Sequence, residues 1–521
     1  MTKTITLISP RGEPQAYFSA DIYADSGFGG VQMVADLSIV TVAAFVPDDF
    51  TIRLCDETLT PVDLDMPTDI VALTGKTSQA ARMLELADHF RRRGRLVMIG
   101  GPFASLAPEA VRPHCDILVR GEIESIAATL FDDLRAGTWA PEYVGEQADL
   151  SRSPVPRWDL YPNHRALLGA VQTSRGCPFE CEFCEVPTYA GRRQRHKSPA
   201  QVLAELDLLY RLGYRAVFLA DDNFTAKRAL AKELLTAIAR WNAARAHDPV
   251  AFTTQMSVDA GRDDEILGLC AQAGLRAVFI GLETPSEESL REARKRQNLG
   301  GNPLAQVDRF LAHGIMVISG MIVGFDADGP DIFERQRRFV EAAPIPIFTL
   351  GALVASSGSP LHRRMAESGR LLPERPHGTG QPLSTNILPL GMSTEQLLAG
   401  LRDLGNQVYA PRAFGERLIA MLERLGDGTP PPSTPGLADG PDEPSGPHEP
   451  GVPPERHALA GETADIIKRL ARSGPEERAM VARVGRYALH HRPEALAVVQ
   501  TCLRFYAQIR HVYRLTGFTT P

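Results

Sequence analysis

Cys177, Cys181 and Cys184 are spaced as C-x3-C-x2-C, with Phe183 directly before the last of them. Three thiolates so close in sequence can hold three irons of a cubic [4Fe–4S] cluster. No fourth cysteine lies nearby, so the fourth iron would stay open to a small-molecule ligand. That arrangement suits chemistry better than plain electron storage. Two structural readings compete: a zinc knuckle, and cysteines that merely lie close in a core. Structural zinc prefers four ligands built from paired C-x2-C units, and the sequence offers no second pair.

Further candidates for chemistry fall at regular intervals downstream. Asp221-Asp222-Asn223-Phe224 ends an apolar run, Gln255 and Ser257 end the next, Gly281-Leu282-Glu283-Thr284 ends a third, and Gly320-Met321-Ile322-Val323-Gly324-Phe325 ends a fourth. Two adjacent carboxylates ending such a run are hard to explain structurally, although a helix N-cap would account for Asp222 or Asn223. Gln255 and Ser257 are placed to hydrogen-bond a ribose or a carboxylate. A lone glutamate such as Glu283 is usually solvated.

The elements that must position these residues are strands near 170–173, 216–220, 252–256, 277–282, 317–323 and 348–354, with helical patterns between them. Such repetition predicts a parallel, partial (β/α)6 TIM-like barrel over residues 166–390, whose chemistry gathers at the C-terminal strand ends. Residues 1–145 also alternate, with strands at 5–9, 50–55, 69–73, 96–99 and 116–119 and helical patterns at 78–93 and 125–136. They predict a doubly wound, Rossmann-like sheet with its ligand beyond the carboxyl ends of the strands. Thr74, Gly75, Ser78, Gly100, Gly101, Gly121 and Glu122 stand where those ends should be, and glycine there lets backbone approach a bulky ligand. Gly75-Lys76-Thr77 is not a phosphate loop, because Ile70 stands where its upstream glycine should be.

A Pro-punctuated linker is expected over residues 146–165, a helical extension over 391–425, a disordered Pro/Gly-rich insertion over 426–457, and further helices over 458–521. The basic run from Arg192 to Lys197 reads as a solvated face. At 521 residues with 44% hydrophobic and 23% charged content the chain is an ordinary α/β globular protein, and its net charge of −7 gives no pull toward nucleic acid. Seven scattered cysteines make no disulfide framework, and no apolar run is long enough to span a bilayer, so a reducing cytoplasmic setting is expected.

The cysteine triad, with the four strand-end segments behind it in order, resembles the radical S-adenosylmethionine (SAM) superfamily. The resemblance implies that the free iron is chelated by SAM, that Asp221, Asp222, Asn223, Gln255, Ser257 and Glu283 line the SAM site, and that Ile322 and Gly324 embrace adenine with Phe183 opposite. The N-terminal layout resembles the cobalamin-binding domain of one large subgroup, and residues 324–336, 359–372 and 385–409 resemble the extension of the hopanoid C-2 methylases. The cobalt-ligating D-x-H-x-x-G motif is missing, which implies cobalamin held without a protein histidine; His89 and His114 stand in other contexts. RNA-modifying methylthiotransferases, which carry an N-terminal cysteine triad and a C-terminal β-barrel, do not match.

The function so implied is C-methylation. A 5′-deoxyadenosyl radical abstracts hydrogen from an unactivated carbon of a small-molecule or lipid substrate, and methylcobalamin delivers the methyl group. A flavodoxin- or ferredoxin-type reductant is implied, with the protein a monomer or homodimer. A non-methylating ring contraction or oxidative cyclisation is the alternative, and a non-catalytic cobalamin or cluster sensor a further one.

Overall fold

The computed structural model describes residues 2–12, 17–374, 384–426 and 454–518. Most of the insertion expected to be disordered lies outside these residues. In chain order the strands are β1 (Lys3–Ser9), β2 (Gln32–Val34), β3 (Phe50–Asp56), β4 (Ile70–Thr74), β5 (Leu96–Gly100), β6 (Ile117–Arg120) and β7 (Glu142–Val144). They continue as β8 (Ala166–Val171), β9 (Ser174–Arg175), β10 (Arg195–His196), β11 (Ala216–Leu219), β12 (Ala251–Gln255), β13 (Leu275–Glu283), β14 (Met316–Val323) and β15 (Phe348–Ala352).

The first sheet is parallel and runs β3-β1-β4-β5-β6-β7. Ile70, Val71, Ala72 and Leu73 of β4 are all buried, the apolar run expected of a strand covered on both faces. The chain leaves β1 toward β3 on one side and reaches β4 on the other. This reversal creates a crevice at the carboxyl ends of β1 and β4, where open α/β sheets place their ligands.

The second sheet is a curled parallel half-barrel in the order β15-β14-β13-β12-β11-β8-β2. Six of its strands follow the expected repeat. The seventh, β2, comes from the N-terminal stretch and pairs with β8 through Gln32↔Ala166 and Val34↔Leu168. A three-residue edge strand leaves no periodicity to read. The Pro-punctuated stretch 146–165 before β8 is packed rather than loose: Leu150 and Trp158 are fully buried.

Helices Thr394–Val408, Pro411–Arg424, Pro454–Leu470, Pro475–His491 and Leu496–Leu515 close the far side. The last of them is apolar along most of its length, with Cys502, Tyr506, Ile509 and Tyr513 fully buried. The Tyr17 hydroxyl donates to the Leu350 carbonyl at 2.8 Å and lies 3.2 Å from the Tyr513 hydroxyl. Among the described residues no helix is long and apolar enough to cross a membrane.

Candidate functional site

The three cysteines sit in a hairpin closed by β9 and β10, which pair antiparallel through Arg175↔Arg195 and Ser174↔His196. Gly176 turns into it with φ +95°. A Cβ there would come within 2.8–3.1 Å of the carbonyl oxygens of Arg193, Gly191 and Ala190, so only glycine lets the hairpin close this tightly. The Cys177 N–H donates to Gly191 O at 3.1 Å, the Glu182 N–H to Ala293 O at 2.9 Å, and the Cys184 N–H to Cys181 O at 3.1 Å. Arg364 clamps the Glu182 carboxylate with two hydrogen bonds, at 2.7 and 2.9 Å.

Burial pushes the Cys177 thiol up to about 11 and the Cys184 thiol up to about 12, and the neighbouring cysteines add to both. Thiols buried at this electrostatic cost suit a group that supplies positive charge. A cubic cluster gives each thiolate its own iron, so three cysteines of one hairpin can serve it, whereas structural zinc takes four ligands. The hairpin therefore fits an iron–sulfur cluster.

The downstream residues converge on this hairpin in part. Asn223 Nδ2 donates to Ser257 Oγ at 2.6 Å, while Asn223 Oδ1 is buried without a partner. Gln255 stands beside them, exposed. Asp222 accepts from the Gly176 N–H at 3.3 Å, and burial pushes its carboxyl up. Gln297 Oε1 and Asn298 Oδ1 are likewise buried acceptors without a protein partner. A ligand carrying ammonium and hydroxyl donors fits such a set. Phe183 and Ile322 pack on one apolar cluster with Phe325, Leu353 and Met365, the Phe183 and Phe325 rings lying 6.3 Å apart. Gly324 adopts φ +103° beside Leu397.

Asp221 is a correction. Its carboxylate is fully buried and accepts from the N–H of Thr173 at 2.9 Å, the N–H of Ser174 at 2.6 Å, and the Thr173 hydroxyl. Burial pushes it up to about 6 against the pull of those donors. Both oxygens fasten the end of β11 to the start of the hairpin, so this carboxylate has a structural task. Glu283 is not solvated: it is buried, ion-paired with Lys295, and held at φ +66° where the β13–β14 register slips. Lys295, Gln297 and Asn298 escaped sequence reading because Arg294-Lys295-Arg296 looks like a solvated charge run.

At the first sheet, Thr74, Gly75 and Ser78 gather at the β1/β4 crevice. The Phe103 N–H donates to Gly75 O at 3.0 Å, and Ser78 Oγ lies beside Gly12. The Thr77 hydroxyl is buried there with no partner, so the crevice offers a polar atom as well as bare backbone to a large ligand. Three assignments change. A Cβ on Gly100 would rest 3.4 Å from Val119, in ordinary contact and away from the crevice; a Cβ on Gly121 would overlap Gly145 O, so that glycine serves the close approach of the two chain segments leaving the parallel strands β6 and β7.

Glu122 serves structure as well. It is buried and bonds Arg195 at 2.6 and 2.7 Å, Arg175 at 2.9 Å and the Ala148 N–H at 2.9 Å. The basic run is thus no solvated face either: Arg195 meets Glu122, Lys197 is buried against Glu205, and only Arg192 and Arg193 are exposed.

Gly101 has φ +90°, and a Cβ on it would overlap Thr74 Oγ1. Gly101→Ala should therefore cost about 1–3 kcal/mol, while Gly100→Ala is tolerated. Thermal denaturation of the two variants checks this, and equal melting temperatures would contradict it.

Residues 171–339 match the Radical SAM superfamily, and residues 359–438 match a domain of unknown function. An uncharacterized methyltransferase of Synechocystis sp. is 33% identical over 407 residues, covering 76% of this chain and 74% of that protein. The hopanoid C-2 methylase of Rhodopseudomonas palustris is 30% identical over 387 residues, covering 73% and 72%. The bacteriochlorophyllide d C-12(1)-methyltransferase of Chlorobaculum tepidum is 26% identical over 407 residues, covering 75% and 85%. The radical SAM methyltransferase TsrM of Kitasatospora setae, solved with cobalamin and a [4Fe–4S] cluster, superposes with a TM-score of 0.56 at 18% identity over 71% of this chain and 78% of that one. The cobalamin-dependent radical enzyme OxsB, with aqua-cobalamin, gives 0.60 at 15% identity over 99% and 82%. Both share the fold.

Proposed function

Since the chain belongs to the radical SAM methyltransferase family that includes the hopanoid C-2 methylase, we propose that it is a cobalamin-dependent C-methyltransferase acting on an unactivated carbon of a small-molecule or lipid substrate. Reductive cleavage of SAM at a [4Fe–4S] cluster would supply the hydrogen-abstracting radical, and methylcobalamin the methyl group. The rest falls to the protein's own residues.

Cys177, Cys181 and Cys184 would hold the cluster. Asn223 and Ser257, with Gln255 beside them and Asp222 behind Gly176, would receive the polar groups of SAM. Phe183 and Ile322 would bury its adenine. Thr74, Gly75, Ser78 and Gly101 would line the corrin slot. What supports the reading most is one juxtaposition: the cysteine hairpin touches the carboxyl edges of both sheets. Glu122, at the end of β6, ion-pairs with Arg195 of the hairpin. Within the hairpin, Thr188 donates to Gly358 O beyond β15 at 3.0 Å, and Leu106, just after the Gly100-Gly101 turn, lies against Gly358. Two cofactors seated at those edges would face each other across the hairpin, which is the orientation a two-cofactor reaction needs.

Protein produced without oxygen and with cobalamin supplied should contain iron, sulfide and corrin together and release 5′-deoxyadenosine from SAM under reduction. Methylation adds one carbon to the product; a rearrangement or cyclisation does not. Corrin-free protein would remove the cobalamin part of the reading. The cob(II)alamin form should show no nitrogen splitting in paramagnetic resonance. His89 accompanies Leu64 O and His114 accompanies Asp88, at the opposite edge of the sheet from the crevice. Nitrogen splitting would contradict this prediction.

A further inference from the structure

The turn Arg296–Asn298 and the residues before it form a strut between the end of β13 and the cysteine hairpin. At one end, Asn298 Nδ2 donates to the carbonyl oxygens of Gly281 and Leu282 at 2.9 and 3.0 Å, and Lys295 pairs with Glu283. At the other, Ala293 O accepts the Glu182 N–H at 2.9 Å, fixing the backbone between Cys181 and Cys184. Between these anchors Gln297 Nε2 lies 3.3 Å from Cys181 Sγ. Cys181 is the buried member of the triad, while Cys177 and Cys184 are partly exposed. The amide therefore addresses the sulfur that water reaches least.

A thiolate bound to iron carries no proton and can only accept, so the facing amide must present its N–H. A hydrogen bond to a ligand sulfur stabilises the more negative, reduced cluster over the oxidised one, and such bonds are among the features that set cluster potentials. We propose that Gln297 donates to the Cys181 sulfur of the bound cluster and holds the cluster's reduction potential above the value that the thiolates alone would give. Gln297 acts through Cys181 and is a positioning residue. Lys295, its ammonium 5.7 Å from the centre of the Phe183 ring, adds positive charge on the same side. Removing Lys295 would leave Glu283 buried and unpaired, so Gln297 is the cleaner probe.

This inference rests on the cluster reading above. The test uses full-length protein reconstituted with iron and sulfide. Native, Gln297→Leu and Gln297→Asn proteins are compared by metal content and by a redox titration followed by paramagnetic resonance. Asparagine keeps an amide but is too short to reach the sulfur. Both variants should retain native iron and sulfide while their midpoint moves to more negative potential. In native protein carrying 15N only in glutamine side chains, the reduced cluster should show a weakly coupled nitrogen.

An unchanged midpoint in variants with full iron overturns the proposal. So does the absence of glutamine coupling in native protein, which decides the matter even if a variant fails to fold or load. Native protein that takes up no iron would remove the cluster reading itself, and this inference with it.

Discussion

Replacing Cys177, Cys181 or Cys184 by Ala should strip the protein of its iron–sulfur cluster and abolish cleavage of SAM. With one thiolate gone, two ligands remain for a cubic cluster that already lacks a fourth. The effect should be all-or-none in iron, sulfide and 5′-deoxyadenosine, not a graded loss. Cys270 and Cys502 are fully buried elsewhere, and Cys55 and Cys115 lie in the first sheet's unit, so Ala at any of these four should leave iron and SAM cleavage at native levels. A cluster that survives the triple replacement would end the assignment.

The second large effect is expected at Glu122. This carboxylate faces two guanidinium groups, Arg175 and Arg195, in a seat where its own side chain is only 7% exposed and that of Arg195 only 10%. Burial would push Glu122 up, but the Arg195 hydrogen bonds and the Arg175 charge prevail and hold it below the ordinary carboxylate value. Glu122→Gln leaves the buried Arg195 without its counter-charge and Arg175 with Glu124 alone, and should cost about 3–5 kcal/mol.

The pH dependence has a definite sign. A carboxylate held low in the folded state contributes stability that is fully present above its unfolded value, about 4.3, and is lost as pH falls through the folded one. The gap in thermal stability between native and Glu122→Gln protein should therefore be wide at neutral pH and close in acid. A gap that stays constant with pH would mean the effect is packing rather than charge.

Much of this was legible in the residues. The cysteine spacing and the ordered strand ends needed no structure, because short motifs at strand termini keep their position however the surrounding helices pack. Other features were hidden for physical reasons. Asp221 and Asp222 are indistinguishable as letters, yet one faces inward to three donors and the other lies behind Gly176. Glu122 and Glu283 looked like ligands or solvated acids because their partners, Arg195 and Lys295, sit in basic runs that read as surface. Gly100, Gly101 and Gly121 differ only in what a methyl group would strike, which depends on Thr74, Val119 and Gly145 from neighbouring strands. Strand β2 is too short to carry a pattern, and its partner lies far along the chain.

That last strand has a consequence for how the protein comes into being. The chain leaves the first sheet after β1, visits the half-barrel at β2, and returns to the first sheet at β3, so the excursion is anchored at both ends in one body and at its middle in another. β2 emerges from the ribosome long before β8, and Tyr17 must wait still longer for Leu350, 333 residues away. Contacts of such sequence separation form late and slowly. Segment 17–34 is thus among the last to settle, and cutting the chain ahead of β8 would separate β2 from the strand it pairs with. A fragment ending there would carry an orphaned edge strand with exposed backbone donors and acceptors, an invitation to pair with other chains.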